Sequence, residues 1–354
     1  MNRQNSNLLL VWDRIGDYHA ARFHALENMA GKGRVFIADL GGADSLYQWK
    51  NPLGNHPAYH SLSSLPVEEN DLAGRLRHFK KLVRECRISA VGIAGYGRPE
   101  YRQMLHWCRL KRIPVILFAE SWYPGKADFF KGLYLNFLCH GFLVSGERAK
   151  QHFSGRLGLP EHKILPPYSV VDNAHFNTSR PEFSSKKILC VARFSPEKNL
   201  KNLLSAFGMS KAAEAGWTLE LVGGGPQKQE LMQLAPPGVS FRDWVSYVDL
   251  PGLYASASAF ILPSSFEPWG LVVNEALAAG LPAAVSEECG CAPDLVPDPS
   301  FRFPAAGVSQ MAEVISRLCA MSQEERMERS EAGREIMKSF SPQAWASAFL
   351  QLLA

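Results

Sequence analysis

Two glutamates lie in an otherwise apolar stretch of the second half of the chain. The stretch FEPWGLVVNEALAAG (266–280) holds Glu267 and Glu275, with seven residues between them. Because almost every neighbour of Glu275 is apolar, its carboxylate is expected to be buried and to need a hydrogen-bond partner. A helix through this stretch would separate the two carboxylates by about 10 Å. That spacing predicts a site for a ligand that carries hydroxyl groups at both ends.

Each glutamate also has a structural explanation. AFILPSS (259–265) predicts a strand, Pro268 suits the first position of the helix that follows, and Gly280 suits the position just after its end. Glu267 would then be a first-turn acid that the helix dipole favours, and Glu275 a surface residue of an amphipathic helix. Glu275 fits this explanation poorly because the helix has little polar face.

A pair of cations follows an earlier predicted strand, in VARFSPEKNL (191–200). The strand is predicted to end at Arg193, and Ser195 to cap a helix that holds Lys198 in its first turn. A cation there opposes the helix dipole, so Arg193 and Lys198 indicate a bound anion, and a diphosphate fits. A solvated Lys198 and an Arg193 paired with Glu197 would explain the same residues.

Three glycines follow the next strand, in LVGGGP (221–226), before Pro226 as the predicted first residue of a helix. Gly224 and its neighbours would let a phosphate or sugar approach the backbone, although a structural turn explains a glycine cluster equally well. A diphosphate with a hydroxyl-bearing ring on each side describes a nucleotide sugar. Its hexose and ribose would each take one of the two glutamates.

The elements that must position these residues alternate between strand and helix. Apolar runs predict strands in the first half at 8–12, 34–40, 90–96, 113–120 and 141–146, and in the second half at 187–194, 217–225, 239–245, 259–265 and 281–287. Helical periodicity between the runs predicts parallel sheets with helices on both faces. We therefore expect an α/β protein of two Rossmann-like domains that face each other across a cleft, with ligands at the carboxyl ends of the strands.

The predicted domain boundaries follow from the segment 164–187, which is rich in Pro, Ser and Asn and is interpreted as a linker. The first domain is expected over 1–172, the second over 173–340, and a last helix, N-capped by Ser341, over 341–354. This helix is expected to pack back on the first domain. The residues expected to face that surface are Trp345, Phe349 and Leu352.

Composition limits the class of protein. Of 354 residues, 46% are hydrophobic and 20% are charged, which is typical of ordinary globular proteins. No apolar run approaches the roughly 18 residues of a membrane-spanning helix, and the beginning lacks a secretory signal pattern, so we expect a cytoplasmic protein. The seven cysteines are expected to be buried thiols, and Cys289 and Cys291 lack the further ligands of a zinc site.

Positive charge is concentrated in the first half of the chain. The net charge is +4, but residues 1–180 hold 24 Lys and Arg against 15 Asp and Glu, whereas 181–354 hold 14 against 19. A basic half favours an anionic partner. The segment 71–87 predicts a basic amphipathic helix, with Arg75 among the cations of its polar face. Such a helix can rest on an anionic membrane, or it can be an outer helix of the sheet.

In their order along the chain, five segments of the second half resemble the retaining glycosyltransferases of the GT-B fold, of the family 4 (group 1) type. These segments are VARFSPEKNL, LVGGGP, FRDWV, FILPSSFEPWGLVVNEALAAGLP and ECGCAPDLV, within 190–296. The spacing of the two glutamates in EPWGLVVNEALA is highly specific.

The resemblance implies a role for each matching residue. Arg193 and Lys198 would bind the donor diphosphate. Glu267 would contact the transferred sugar, and Glu275 would hold the ribose hydroxyls. The further donor-binding residues implied are Gly224, Trp244, Val245, Gly270, Leu271 and Val272. Such enzymes need no metal, and the chain lacks the DxD carboxylate cluster that holds a divalent ion in other glycosyltransferases.

The first half departs from the family pattern. Many relatives have a paired-glycine loop after the first strand, where this chain has only Gly16, and some have His-Glu-Pro where this chain has Ala-Glu-Ser (119–121). The missing His argues against a histidine-centred activation of the acceptor. The acceptor-side candidates are Gly16, Asp17, Tyr18, His19, Arg98 and Glu120. His19 can equally be a helix-surface residue, and Arg98 can cap the helix that follows it.

We expect the protein to move a sugar from UDP-, GDP- or another nucleoside diphosphate sugar to a hydroxyl of a glycan, lipid-linked or small-molecule acceptor, without a metal or other cofactor. Catalysis would rest on Arg193, Lys198 and Glu267 through positioning and preorganised electrostatics. The expected partners are this donor, its acceptor and the inner face of an anionic membrane, but not nucleic acid. The alternatives are a sugar-nucleotide epimerase, a phosphorylase on the same fold, and a non-catalytic sugar-binding protein.

Overall fold

The computed structural model describes residues 7–41 and 51–354. The chain divides into two units, of which the first is Met1–Val170 together with Pro342–Ala354 and the second is Val171–Ser341. The boundary at 170 and 171 lies inside the segment 164–187.

The first unit is an α/β structure built on one parallel sheet. The strands described in it are β1 Asn7–Trp12, β2 Val35–Asp39, β3 Tyr59–Ser61, β4 Ile88–Ile93, β5 Val115–Ala119, β6 Gly141–Val144 and β7 Ile164–Leu165. The helices are α1 Asp17–Ala30, α2 Leu72–Glu85, α3 Pro99–Leu110, α4 Asp128–Leu138 and α5 Glu147–Gln151. The spatial order of the strands is β3-β2-β1-β4-β5-β6-β7, and all pairs are parallel. Leu8 to Trp12 are all buried, as expected for a strand covered by helices on both faces.

The second unit repeats this plan. Its helices and strands begin with α6 Asn173–Phe176, β8 Lys187–Val191, α7 Leu200–Ser210, β9 Thr218–Val222, α8 Lys228–Leu234, β10 Val239–Arg242 and α9 Leu250–Ala255. They continue with β11 Ala259–Leu262, α10 Leu271–Ala279, β12 Ala283–Ser286, α11 Ala292–Leu295, β13 Arg302–Phe303, α12 Val308–Ala320 and α13 Gln323–Ser339. The sheet is also parallel, with the order β10-β9-β8-β11-β12-β13.

The last helix, α14 Pro342–Leu352, belongs to the first unit and packs against α1. Trp345 and Phe349 are fully buried and Leu352 nearly so, which confirms the predicted packing face. The ring of Trp345 lies 5.6 Å from that of Phe118 in β5, so α14 covers the sheet of the first unit.

The ten strands predicted from apolar runs are all present, but three short strands were missed. β3, β7 and β13 have only two or three residues each, too few to show an apolar run. β7 begins at Ile164, so the interpretation of 164–187 as a continuous linker is wrong at its start.

The segment 71–87 forms α2, whose large apolar side chains are buried or half-buried in the core of the first unit. Arg75 is fully buried, so its predicted place on the polar face is wrong. Its guanidinium binds Glu100 at 2.8 Å and donates to the carbonyls of Leu40 and Pro66 at 2.7 Å each. These partners compensate the loss of water around the charge.

All seven cysteines are free thiols and five of them are buried, as predicted. Within 7–41 and 51–354, no three His, Cys, Asp or Glu side chains are grouped so that they could hold a metal ion. In the same residues, no helix has the length and apolar character needed to cross a membrane.

Candidate active site

Each sheet has one point where the chain changes direction. In the second unit the chain runs from β8 to β9 and β10 on one side, then crosses to β11 and continues to β12 and β13 on the other. Open α/β sheets bind ligands beyond the carboxyl ends of the strands at such a switch point. The segments that follow β8 and β11 are the ones that carry the predicted cations and glutamates.

Lys198 and Glu267 form an ion pair at this switch point. The Lys198 ammonium donates to Glu267 Oε2, which also accepts a hydrogen bond from Ser264 Oγ at 3.2 Å. The two charged side chains are only 20% and 12% exposed, so water screens them weakly. The structure thus brings together the cation predicted to bind a diphosphate and the carboxylate predicted to contact a sugar.

Hydrogen bonds join the two loops that carry this ion pair. The Glu197 carbonyl accepts from the Ser265 backbone N–H at 2.8 Å, and Asn199 Nδ2 donates to the Pro263 carbonyl at 3.0 Å. Asn199 has left-handed backbone angles, with φ 57°, which Asn adopts more readily than most residues. The loop after β8 is therefore held against the loop after β11.

The helix predicted to begin at Ser195 is interrupted. Pro196–Lys198 form a short 3₁₀ turn, and α7 begins only at Leu200. Ser195 Oγ donates to the carboxylate of Glu197 and does not cap a helix. Lys198 therefore does not lie in the first turn of a helix, and the prediction that it opposes a helix dipole there is wrong. Lys198 precedes α7, and the 3₁₀ turn places its side chain against the loop after β11.

Arg193 is exposed just after the end of β8. Its charge and that of Lys198 both act on the carboxylate of Glu197. The hydrogen bond from Ser195, together with the charges of Lys198 and Arg193, lowers the pKa of Glu197 below its usual 4.5. Both predicted cations therefore lie close enough to Glu197 for their charges to be felt there. Glu197 is thus an anion on which both predicted cations act.

Two helices begin later than predicted. α8 starts at Lys228 and not at Pro226, and α10 spans Leu271–Ala279 and does not start at Pro268. In both cases the loop after the strand is longer than the proline suggested. The end of α10 is as predicted, because Gly280 closes it in the left-handed conformation with φ 90°.

Gly270 is the residue that joins the loop of Glu267 to α10. Its φ is 108°, and a Cβ there would lie 3.0 Å from Leu262 Cδ2 and 3.4 Å from Glu267 Cγ. Both the backbone conformation and the available space therefore require glycine. The N–H groups of Leu271 and Val272 open α10, where a helix has no internal partners for its donors and favours anions.

Glu275 is only 1% exposed, which confirms its predicted burial. One of its hydrogen-bond partners is Tyr254 of α9, whose hydroxyl donates to Glu275 Oε2 at 2.6 Å. The neighbouring Asn274 is also buried and accepts from Trp269 Nε1 at 2.7 Å. Tyr254 could not be predicted from the sequence, because it lies 21 positions away on another helix and no motif connects the two residues.

The glycine loop after β9 contacts the loop after β8. The Phe194 backbone N–H donates to the Gly224 carbonyl at 2.8 Å. A Cβ on Gly224 would lie 3.0 Å from Trp244 Nε1, and this indole is 64% exposed. Gly224 and Trp244, with Val245 next to it in the chain, thus lie together at the ends of β9 and β10.

The first unit has its own switch point, between β1 and β4. A cavity of about 480 Å³ lies at the ends of these strands and is lined by Trp12, Asp13, Arg14, His19, Arg98 and Tyr101, among others. A second cavity of about 440 Å³ includes Tyr96, Glu120, Ser121, Lys131, His152 and Tyr168 in its lining. Both cavities are also lined by Ala94 and Gly97, so they adjoin at the loop after β4.

Arg98 is tied to the loop after β1. Its Nε donates to Asp13 Oδ2 at 2.7 Å, and the Tyr101 hydroxyl donates to the other carboxylate oxygen. Arg98 occupies the residue before α3, but its side chain does not cap that helix. Burial and the Asp13 carboxylate raise the pKa of Tyr101 well above 10. The Asp13 carboxylate therefore partly compensates the charge of Arg98 within the cavity.

His19 lines the same cavity and is half-buried. Gly16 precedes α1, Asp17 and Tyr18 open it, and the Gly16 backbone N–H donates to His19 Nδ1 at 3.1 Å. Burial, with the nearby charge of Arg22, lowers the pKa of His19 well below 6.5. The imidazole is therefore neutral at pH 7, with its hydrogen on Nε2.

Glu120 accepts a hydrogen bond from Ser169 Oγ at 3.0 Å. Near it lies Arg22 of α1, a buried cation that sequence analysis missed. Arg22 lies 4.8 Å from the ring centroid of Tyr168 and donates to the Val170 carbonyl at 3.2 Å. Burial lowers the pKa of Arg22, and the charges of Tyr168 and Glu120 counteract this shift. Arg22 follows His19 by three positions, so the two residues lie on one face of α1, and this spacing was the signal available in the sequence.

Residues 172–336 match the model of the family described as Glycosyl transferases group 1. A segment of 113 residues is 37% identical to the sulfoquinovosyl transferase SQD2 of Arabidopsis thaliana, and it covers 31% of this chain and 21% of that protein. The chain spans between 19% and 46% of the length of the curated relatives that it matches in this way.

Many solved structures resemble the whole chain, among them one from Rickettsia africae ESF-5 and one from Anabaena. A glycosyltransferase of Rickettsia africae ESF-5 has a TM-score of 0.78 at 14% identity and covers 98% of this chain and 97% of its own. Alr3699/HepE of Anabaena in complex with UDP-glucose has a TM-score of 0.74 at 17% identity, with 99% of each chain covered. At such identities the likeness shows the fold, which is the GT-B fold of two units with parallel sheets. The chain therefore has the GT-B fold, and its residues 172–336 match the model of the glycosyl transferases group 1 family.

Proposed function

We propose that the protein transfers a sugar from a nucleoside diphosphate sugar to a hydroxyl group of an acceptor, with retention of configuration and without a metal ion. The observation that carries the proposal is the Lys198–Glu267 ion pair at the switch point of the second sheet. A cation and a carboxylate in contact at that point offer one group for an anionic diphosphate and one for the hydroxyls of a sugar.

The diphosphate is assigned to Arg193, Lys198 and the start of α10. Each charge-assisted hydrogen bond to a phosphate oxygen contributes about 1.5–3 kcal/mol. When a phosphate takes over the Lys198 ammonium, Glu267 becomes available for a hydroxyl of the transferred sugar. The backbone N–H groups of Leu271 and Val272 support the same anion from the helix N-terminus.

The nucleoside is assigned to Glu275 and the loop around Trp244. The Tyr254 hydroxyl fixes the orientation of the Glu275 carboxylate, as a group that recognises two ribose hydroxyls requires. Trp244 and Val245 follow β10, beside the glycine loop that approaches the phosphates in this proposal. The likeness in fold to a protein solved with UDP-glucose supports this placement.

The proposed chemistry uses positioned charges. As the bond between the sugar and the diphosphate breaks, negative charge develops on the leaving oxygen, and Lys198 and Arg193 stabilise it. Glu267 faces the positive charge that develops on the sugar ring, and the acceptor hydroxyl attacks on the face from which the diphosphate leaves. Groups that are preorganised around developing charges contribute more to catalysis than they would in water.

The acceptor is assigned to the first unit, where the two adjoining cavities lie at the β1/β4 switch point. Gly16, His19, Arg98 and Glu120 lie in or next to their linings. His19 is held neutral and can donate from Nε2 to an acceptor oxygen. In this proposal it orients the acceptor and does not act as a base.

A thermal-shift screen with nucleoside diphosphates and their sugars tests the donor assignment, because a ligand that binds only the native state raises the melting temperature. The expected result is a rise with one diphosphate and its sugar that Glu275→Ala reduces. No rise with any nucleotide would contradict a nucleotide-sugar enzyme. A rise with conversion of the donor into an epimer, or with phosphorolysis of a glycan, would favour the other enzyme classes. Binding without any turnover would favour a sugar-binding protein.

A further inference from the structure

The outer face of α4 carries large apolar side chains that are exposed. Phe130, Leu133 and Phe137 recur at helical spacing and are 74%, 53% and 63% exposed, and Phe129 beside them is 59% exposed. The opposite face of the same helix is buried in the first unit. α4 is therefore apolar on both sides, and the core of the first unit explains only the inner one.

Cations flank this face on several sides. The Arg109 guanidinium, at the end of α3, lies 4.7 Å from the ring centroid of Phe137. Lys126 is exposed one helical turn before Phe130. At the other edge, a Cβ on Gly158 would lie 3.9 Å from the ring of Phe129, which brings the neighbouring exposed Arg156 to that edge.

The acidic residues between positions 98 and 140, the stretch around α3 and α4, are buried or half-buried. Glu100 is buried and paired with Arg75, and Asp128 is buried and paired with Lys131 at 2.9 Å. Glu120, the third acid between 98 and 140, is half-buried in the cavity wall. The exposed charges of this stretch are Arg102, Arg109, Lys111, Arg112 and Lys126, all positive.

We propose that the outer face of α4 rests on a bilayer that contains anionic phospholipid. Apolar and aromatic side chains ringed by Lys and Arg are the pattern of a surface that inserts at the headgroup level and binds lipid phosphates. α4 has 11 residues, about 16 Å in length, which is too short to span a bilayer. Because its exposed apolar side chains run along one face, the helix would lie parallel to the membrane surface. Aromatic rings supply the apolar contact, and Arg109, Lys126 and Arg156 supply the charge complementarity.

This assignment moves the membrane contact away from α2. The large apolar side chains of α2 are packed into the core of the first unit. This helix therefore exposes cations but no apolar face. A weak electrostatic attraction by α2 would add to binding, but it would not anchor the protein. The two helices therefore give different predictions for the same measurement.

Co-sedimentation of the full chain with vesicles tests the proposal. The vesicles are phosphatidylcholine alone or with about one third phosphatidylglycerol, a fraction that gives a negative surface potential. We expect binding to the anionic vesicles that is at least tenfold stronger than to the neutral ones. Phe130→Ser, Leu133→Ser and Phe137→Ser together should lower the partition coefficient by more than tenfold, because each removes an exposed apolar side chain that the bilayer would bury.

Two matched variants serve as controls. Met232→Ser, Leu234→Ser and Val248→Ser remove three exposed apolar side chains from the second unit and should leave vesicle binding unchanged. Arg77→Ser with Arg84→Ser removes exposed charge from α2 and should weaken binding by less than the α4 change. Unfolding curves of all variants establish that they are folded.

Three results would overturn the proposal. The first is no binding of the wild type to anionic vesicles, and the second is equal binding by the α4 triple variant. The third is a wild-type dimer in sedimentation velocity that the triple variant converts to a monomer without vesicle binding, since α4 would then contact a second copy of the chain. No nucleotide sugar is needed in any of these assays, so their outcome is separate from that of the glycosyl-transfer proposal.

Discussion

The ammonium group of Lys198 and the carboxylate of Glu267 are in contact although 69 positions separate them in the chain. The contact exists because β8 and β11 are neighbours in the sheet while the chain between them forms β9 and β10. Backbone hydrogen bonds between Glu197 and Ser265 hold the two loops in register. The position of a cation next to a carboxylate at this switch point is thus a property of the fold.

Lys198→Met should lower turnover of the nucleotide sugar by about 10²–10³, the usual cost of removing one preorganised group that stabilises developing charge. The loss should appear mainly in kcat, because the charge on the leaving diphosphate is largest in the transition state. Release of nucleoside diphosphate measures it. Lys201→Met removes a lysine three positions later, whose exposed ion pair with Glu230 lies outside the site, and it should stay within about twofold of wild type. Equal losses in both variants would contradict the role of Lys198.

Tyr254→Phe should destabilise the second unit by about 1–3 kcal/mol, because a buried carboxylate loses a hydrogen-bond donor. Glu275→Gln keeps an oxygen that can accept from Tyr254, so its cost in stability should be smaller. Urea unfolding of both variants gives the comparison. The assigned partnership would be wrong if Tyr254→Phe unfolded at the same urea concentration as the wild type.

Two adjacent glycines should respond differently to a methyl group. A Cβ on Gly223 would lie 2.0 Å from the Ala192 carbonyl oxygen, and its φ is 139°, so Gly223→Ala should destabilise the protein by about 1–3 kcal/mol. A Cβ on Gly224 meets the exposed indole of Trp244, which can move, so Gly224→Ala should cost less than about 1 kcal/mol. Gly224→Ala should instead weaken binding of the donor nucleotide, measured by calorimetry. Wild-type affinity in this variant would remove Gly224 from the proposed donor site.

His19 predicts a dependence of stability on pH. The unfolded chain takes up a proton at His19 below about pH 6.5, whereas the native pKa is lowered by burial and the imidazole stays neutral. The contribution is therefore complete above pH 6.5 and is lost as the pH falls from there toward the native pKa. The loss approaches about 1.4 kcal/mol for each pH unit.

His19→Gln isolates this effect, because Gln at the third position of a helix can also accept from the backbone N–H that precedes the helix. Unfolding free energies at a series of pH values should show a steeper fall for the wild type than for His19→Gln. His24→Gln, at an exposed position of the same helix, controls for loss of an imidazole. Parallel curves for the wild type and His19→Gln would contradict burial of a neutral His19.

Much of the second unit follows from local patterns in the sequence. β8, β11 and β12 consist mostly of apolar residues, and the apolar neighbours of Glu275 predict its burial directly. The helix starts were less accessible, because a proline permits the first turn of a helix but does not require one. Pro226 and Pro268 both lie in loops, and the helices that follow begin two and three positions later. Asn199 and Gly270 have left-handed backbone angles and immediately precede α7 and α10. Their conformations depend on contacts with other loops.

Partners distant in the chain could not be predicted. Glu275 required a donor, but nothing in its surroundings pointed to Tyr254. Arg75 looked like one of several surface cations of α2, and only Glu100 and two carbonyls make its burial possible. α4 has the apolar and aromatic composition of a core helix, so only the fold reveals that Phe129, Phe130 and Phe137 face solvent.

Glu267 is the residue on which the proposed nucleotide-sugar transfer depends most. The most direct measurement incubates the wild type and Glu267→Gln with the donor found by thermal shift, with and without candidate acceptors. Release of nucleoside diphosphate is recorded, and NMR gives the configuration of the anomeric centre in the product. The expected result is release by the wild type with retained configuration, and a fall of about 10²–10³ in Glu267→Gln with the nucleotide still bound. Undiminished release by Glu267→Gln, or an inverted product, would contradict the proposed mechanism.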